Sequence, residues 1–404
     1  MTSDPSMDFG GEHVILLILA CAALLVRTGL AWASAGLSRA KFAASAVVRS
    51  AADLAVAVLA FWAVGSAIQN RQWGQLFDAN NAAGATQFLQ LILVLIATAP
   101  VAGAIGERCR FLPALLAPAV LGGLIVPLCA RWAWNGGWLQ RIGFFDVAGA
   151  SVLHVTGGLF AAAGAICVGP RNGKYNRDGS SNMIPGHSVP MASVGVMLML
   201  VGWIPYVLAA SAMNATAGPK TAMNVLLAAS SGTIVAILIS RARYGKVDIM
   251  LTYGGLLGGL VAISASGGVV HSISAVIIGA VAGLLVPTAT VIIDLVWKID
   301  DPAGGVAIHA VGGAWGTIAV GVFAPAAGIG DRIRHLGVQS IGLVLMGAVA
   351  LAASLALFAA LKKTVGLRLN DNAEYDGADL AEHDLNAYPD FQQTMIKSYH
   401  LREA

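Results

Sequence analysis

Two histidines, His154 and His309, are the residues of this 404-residue chain whose type and spacing could do chemistry together. Residues 146–158 read Asp-Val-Ala-Gly-Ala-Ser-Val-Leu-His-Val-Thr-Gly-Gly, and residues 301–313 read Asp-Pro-Ala-Gly-Gly-Val-Ala-Ile-His-Ala-Val-Gly-Gly. The frame Asp-x-Ala-Gly-x4-His-x2-Gly-Gly therefore recurs at an offset of 155 residues, pairing Asp146 with Asp301 and His154 with His309. Such a repeat governs how the rest of a chain is read. A neutral imidazole donates from one ring nitrogen and accepts at the other. Two of them can share a proton and offer hydrogen bonds inside an apolar passage while carrying no charge. The plain alternative is two unrelated structural histidines, each satisfied by a nearby hydroxyl or carbonyl; matched frames weigh against it. A third reading makes the pair axial ligands of a membrane haem, although the small-residue frame suits a narrow passage better than a macrocycle. A zinc site is set aside, because neither Asp comes within reach of the histidines.

The elements that must position the pair are membrane helices. The chain is 57% hydrophobic and 11% charged, far below the quarter of charged residues usual in soluble domains. Apolar segments near 20 residues, separated by short polar breaks, read as spans. Eleven are expected, at about 13–34, 46–68, 87–106, 111–131, 146–169, 188–210, 221–241, 249–266, 269–293, 303–324 and 336–361. The fold class is thus all-α and integral to the membrane: a spanning domain over 1–361 and a polar tail over 362–404. No soluble domain fits between the spans. The N-terminus, with Asp4, Asp8 and Glu12 ahead of the first apolar run, lacks the basic n-region of a signal peptide. The net charge of +3 does not suggest nucleic-acid binding. Cys21, Cys109, Cys129 and Cys167 show no CxxC spacing and read as small buried hydrophobes.

Orientation follows from the basic residues. Breaks after odd-numbered spans, with Lys362 and Lys363 after the last, hold fourteen Lys or Arg; breaks after even-numbered spans hold six. The positive-inside rule then places the N-terminus outside and the tail in the cytoplasm. The offset of the repeat covers five spans, an odd number, so its copies enter the membrane from opposite faces. This is an inverted-topology repeat, the pattern of transport proteins with a site near the midplane. In each copy the His follows the Asp by eight residues, roughly 12 Å along a helix, in a core about 30 Å thick. Both histidines arrive near the middle.

Several residues carry a structural reading beside a functional one. Asp146 and Asp301 stand where helices start, so N-capping accounts for both, most directly for Asp301 before Pro302. Asp146, on the outer side, could in addition bias a vestibule toward cations. Trp134 and Trp138 read from composition as interfacial anchors. Arg27 lies inside the first span; Asp53 is a candidate partner, but Arg49 at i−4 suits Asp53 better. Gly312 and Gly316, Gly158 with Ala162, and Gly254, Gly255, Gly258 and Gly259 are expected to form seams of close helix packing.

The chain resembles the ammonium transporter/Rhesus family, in its ammonium-transporter branch, over nearly its whole length. The resemblance rests on Ala35-Gly36-Leu37-Ser38-Arg39-Ala40-Lys41, Gly106-Glu107-Arg108-Cys109-Arg110-Phe111, and above all Asp146-x-Ala-Gly-x4-His154. Pro185-Gly186-His187-Ser188, Asp300-Asp301-Pro302, His309 and the tail motifs Gly377-Ala378-Asp379-Leu380-Ala381-Glu382-His383 and Ala387-Tyr388 support it. The resemblance implies a homotrimer with one pore per subunit and His154 and His309 as the twin pore histidines. It implies that Asp146 is the essential acid below an outer recruitment site, and Trp134 the vestibule Trp that holds ammonium by cation–π contact. It further implies ammonium or ammonia as the substrate in the plasma membrane, no cofactor and no enzymatic activity. The tail would lie across neighbouring subunits, and a PII-type regulatory protein could close the inner mouth.

The chain also departs from the family pattern. The two stacked gating phenylalanines fall at Leu93 and Tyr206, and the serine of the recruitment site falls at Ala210. The segment that usually reads Gly-Trp-Phe-Gly-Phe-Asn is Gly202-Trp203-Ile204-Pro205-Tyr206-Val207, and its proline is expected to kink the helix. Losing a hydroxyl and a ring removes about 1–3 kcal/mol of cation stabilisation. Two functions follow as expectations: an ammonium transporter or ammonia channel, or a divergent sensor or modified pore with an altered outer gate.

Overall fold

A computed structural model of the chain describes residues 11–71, 82–213, 216 and 218–389. Asp4, Asp8 and the last part of the tail lie outside them. Among the described residues the regular elements are helices, and ten of them are long and apolar enough to cross a membrane. In chain order the elements are α1 (Gly11–Leu37), α2 (Ala40–Asn70), α3 (Gly84–Ile105), α4 (Phe111–Arg141), α5 (Ala150–Val168), α6 (Val189–Met213) and α7 (Pro219–Tyr244). They continue as α8 (Ile249–Ile263), a shorter apolar helix, α9 (Ser272–Leu295), α10 (Val306–Phe323) and α11 (Ile329–Thr364). Two short helices, α12 (Asp371–Asp376) and α13 (Ala378–His383), belong to the tail. The eleven expected spans thus have eleven helical counterparts, with α8 too short to stand as a span on length alone.

Buriedness sorts the helices into a centre and a periphery. The spanning windows of α3 and α5 are 78% and 83% buried, against 28% for α1 and 33% for α11. Outer faces carry residues such as Ile273, Leu238 and Val344, all more than 60% exposed, as expected where the solvent is lipid. The centre is where the two repeat copies meet.

Regularity is broken at a few places. Five-residue π-type turns interrupt α2 (Phe61–Gly65) and α4 (Leu121–Ile125), and π-turns open α5 (Ala150–Val155) and α10 (Val306–Val311). Pro205, expected to kink its helix, lies within the uninterrupted α6. Of the anticipated seams, Gly259 does face the Ala228 carbonyl, where a Cβ would lie 2.3 Å away. Gly254 and Gly312 would meet only ordinary van der Waals neighbours.

The buried charge in α1 is settled differently from the sequence expectation. Arg27 Nη2 pairs with Asp53 Oδ1 at 2.6 Å, and Thr98 Oγ1 donates to the same oxygen at 3.0 Å. Arg49 turns away to the Cys109 carbonyl at 2.9 Å and to Glu382 at 3.4 Å. Helix packing between α1 and α2 overrode the i−4 proximity, because a lone guanidinium in lipid costs far more than an exposed one. The four cysteines are free.

The tail is not a loose appendage. The Asp379 carboxylate accepts from the Ala44 and Ser45 amides at 3.0 and 2.6 Å, capping the first α-helical turn of α2. Glu382 accepts from the Phe111 amide at 2.7 Å, capping α4. Acidic side chains satisfy the orphan N–H groups of helix starts and complement the dipole, so a polar tail finds its natural docking points on helix N-termini. Tyr388 reaches His187 Nε2 at 2.6 Å, while His187 Nδ1 donates to the Ser38 carbonyl at 2.9 Å.

Candidate functional site: a buried histidine pair between two half-repeats

The two π-turns bring the repeat copies together. His154 lies in the opening π-turn of α5 and His309 in that of α10. Such turns re-aim side chains and recur at functional sites. Close approach depends on the glycines that end each frame. A Cβ added to Gly158 would lie 2.4 Å from the Ala310 amide nitrogen, and one added to Gly313 would lie 2.4 Å from the Ala150 carbonyl oxygen. The contacts are reciprocal: each copy presses the Gly of its own frame against the π-turn of the other.

The imidazoles face each other with Nδ1 atoms 3.0 Å apart and rings stacked, centroids 5.0 Å apart at 25°. That separation is a hydrogen bond. An iron between those nitrogens would need roughly 4 Å, at about 2 Å for each metal–nitrogen bond, so the haem reading does not fit. Trp203 stacks on His154, centroids 5.2 Å apart at 17°. Its indole Nε1 donates to Ser264 Oγ at 3.0 Å. Tyr206, one turn on, donates its hydroxyl to the Ala148 carbonyl, and its oxygen lies 3.3 Å from His154 Nε2. Leu93, Trp203, Tyr206, Val207 and Ala210 are all closed off from solvent.

The two sides of the pair differ. A cavity of about 360 Å³ reaches His309 from the face that bears the tail. It is lined by Asp301, Asp294, Lys174 and Arg171 among apolar residues such as Met199, Leu257 and Ile308. His154, 0% exposed, lies beneath Tyr206 and Trp203 on the other side.

Both aspartates of the repeat cap their helices, to different extents. Asp146 Oδ1 accepts from Gly149 and Ala150, and Oδ2 from Ser151 and Val152, at 2.7–3.0 Å. Four donors use the principal lone-pair directions of the Asp146 carboxylate. Trp134 is buried and donates Nε1 to the Asp146 carbonyl at 2.6 Å, whereas Trp138 is 40% exposed as an interfacial anchor would be. Asp301 Oδ2 accepts from Val306 at 2.7 Å, and Oδ1 is buried without a partner. Burial pushes the Asp301 carboxyl up to about 6.

Next to Asp301, Arg171 grips Asp300 with two prongs, Nε to Oδ2 and Nη2 to Oδ1, both at 2.9 Å, and reaches Glu107 Oε1 at 2.9 Å. Burial works against the charge of Asp300, but the Arg171 fork and nearby Arg108 outweigh it and hold the carboxyl below its usual range. Arg108, wholly buried, spends its guanidinium on the Gly169, Gly106 and Asp300 carbonyls. This network joins three breaks between helices and frames the cavity mouth.

His154, His309, Asp146, Trp134, Trp203 and Tyr206, expected in one neighbourhood, are brought together by the structure. The hydroxyl bond of Tyr206 to Ala148, the stacking of Trp203 and the unpartnered oxygen of Asp301 are not legible in the sequence. A tyrosine at a position occupied by phenylalanine in the family was the one available signal.

Comparison with known proteins decides the family. The model described as Ammonium Transporter Family matches residues 14–388. The chain belongs to the ammonium transporter family. Its relatives include the ammonium transporter Amt2 of Archaeoglobus fulgidus, 33% identical over 94% of this chain and 88% of that protein. Amt1 of Haloferax mediterranei is 30% identical over 96% of this chain and 81% of that protein. Among solved structures, one named Sensor Amt Protein superposes with a TM-score of 0.85 at 32% identity, covering 92% of this chain and 98% of that one. Saccharomyces cerevisiae Mep2 shares the fold, with a TM-score of 0.78 at 21% identity over 91% and 90% of the two chains. The ammonium transporter family is one of membrane transporters rather than enzymes, and this member is a multi-pass membrane protein.

Proposed function

We propose that this ammonium transporter family protein moves ammonium or ammonia across the plasma membrane through a pore centred on His154 and His309. The observation that carries the reading is the hydrogen-bonded pair of buried imidazoles at the end of the tail-side cavity. A narrow apolar passage that holds neutral hydrogen-bonding groups suits ammonia, which needs partners for its N–H groups but no counter-charge. In this reading Trp134 and the charge of Asp146 favour ammonium at the outer entrance. A proton is left behind there, and ammonia passes Leu93, Trp203, Tyr206 and Ala210 to the pair and on to the cytoplasmic cavity. The N-terminus is outside and the tail inside, the spanning domain covers 1–361, and the tail over 362–404 regulates it. The protein assembles as a homotrimer, and a PII-type protein fits the tail-side mouth. Uptake of labelled methylammonium into proteoliposomes tests the reading. The native protein should exceed the double variant His154→Ala/His309→Ala by at least tenfold; equal and negligible uptake in both would overturn it.

A second reading is favoured by the cover over His154. Tyr206 closes the outer approach and is held by a hydrogen bond, and one structure of high similarity carries the name Sensor Amt Protein. Here the same site binds ammonium and reports it without net flux. Tight, saturable ammonium binding in a protein with no methylammonium flux would favour this reading over transport.

A further inference from the structure

We infer that Tyr206 is a positioning residue that sets the proton order of the histidine pair, so that the pair presents a bare nitrogen acceptor on its cytoplasmic side. Protons can be counted along one chain of contacts, from the Ala148 carbonyl to His309. Tyr206 Oη and the Ala148 carbonyl oxygen are in hydrogen-bond contact. A carbonyl has no proton to give, so the hydroxyl proton lies there. A phenol has only one proton, so Tyr206 turns a lone pair toward His154 Nε2, 3.3 Å away. His154 must therefore carry its hydrogen on Nε2. The pair is fully buried, and among the described residues no carboxylate contacts either ring. In such surroundings both imidazoles are neutral, and each has one N–H. That leaves His154 Nδ1 bare, facing His309 Nδ1 at 3.0 Å. Only His309 can supply the proton of that bond, from Nδ1. His309 Nε2 is then the bare end of the chain, on the ring that lines the tail-side cavity.

The order runs one way: Ala148 carbonyl, Tyr206 hydroxyl, His154, His309, cavity. A phenylalanine at 206 would leave both ends free and both orders equivalent at the outer end. The same hydroxyl also occupies the hydrogen-bonding position above His154 that a passing ammonia would take, between a carbonyl acceptor and a ring N–H. What this means for flux rests on the transport reading above; the proton order does not.

Nitrogen-15 NMR of histidine-labelled protein in lipid nanodiscs tests the inference. The pair identifies itself by its N–H···N coupling across the hydrogen bond. In the native protein His154 should be the Nε2–H form and His309 the Nδ1–H form, each dominant. In Tyr206→Phe the His309 Nε2–H form should rise to a comparable population. Dominance of the His309 Nε2–H form in the native protein would overturn the inference, as would unchanged tautomers in Tyr206→Phe. The native measurement stands even if the variant fails to fold. Methylammonium flux should rise about fivefold in Tyr206→Phe, the factor for one ordinary hydrogen bond. A fall in flux with the tautomers shifted as described would count against the transport reading and leave the proton order intact.

Discussion

The two halves of the repeat start from one sequence frame and end with different chemistry. At the start of α5, both oxygens of Asp146 are taken up by four backbone amides, and Trp134 holds its carbonyl. At the start of α10, Asp301 Oδ2 accepts from the Val306 amide, and Oδ1 is buried with no hydrogen-bond partner beside an open cavity. The difference is in the turns that follow. Gly149, at φ 88°, ends a stretch tied to Ser264 and Ala265 carbonyls, and the chain then curls so that four amides point at one carboxylate. In the second half Pro302 occupies the position after the aspartate, and the backbone brings the Val306 amide to one carboxylate oxygen while the other stays unpartnered. One aspartate is a sealed structural plug, and the other is a half-capped group facing the cavity.

The largest effect that would break this comparison is loss of the sealed end. Asp146→Ala strips four buried amides of their acceptor, which costs about 3 kcal/mol or more. Thermal unfolding in detergent should show Tm falling by many degrees. A near-native Tm would mean that water or a neighbour replaces the carboxylate and that the plug is not structural.

An intermediate effect tests the reciprocal contacts. Gly158→Ala and Gly313→Ala each push a Cβ against fixed backbone of the other half-repeat, an overpacking cost of about 1–3 kcal/mol. Similar losses of stability are expected for the two. The coupling between His154 and His309 across their hydrogen bond should weaken in both. Tolerance of one substitution with intolerance of the other would show that the halves are not mechanically equivalent.

The smallest effect is pH-dependent and has the opposite sign. Burial raises the Asp301 carboxyl from 3.8 to about 6, so the folded protein holds that proton more tightly than the unfolded chain. Stability therefore falls as pH rises from about 4 to about 6 and stays lowered above it. Asp301→Asn keeps an oxygen for the Val306 amide and removes the charge. It should match the native Tm near pH 4 and exceed it at pH 7.5. An equal difference at both pH values would show that the carboxyl does not titrate in this range.

The repeat, the number of helices, the inversion and the meeting of two histidines at one depth were all readable from the chain. Each depends on period, length and charge, which are one-dimensional properties, and lipid as solvent makes them dominant: a helix in hydrocarbon must satisfy its own backbone. The cap roles of Asp146 and Asp301 were readable too, because capping is a contact between near neighbours. What could not be read depends on which helix faces which. Arg27 found Asp53 rather than leaving it to Arg49, since burial punishes a lone charge more than sequence proximity rewards a local pair. Asp379 and Glu382 cap helices more than 270 positions away along the chain, and nothing local marks them for it. The π-turns that aim His154 and His309 at each other are set by packing against the opposite half-repeat. So is the placement of Tyr206 between a carbonyl and a histidine. By itself the sequence determined that two copies of one frame would each carry an imidazole toward the other. Only the tertiary structure decided which side of that pair is closed and which is open. Hydrogen-bond direction and buried volume arise from groups brought together across the fold.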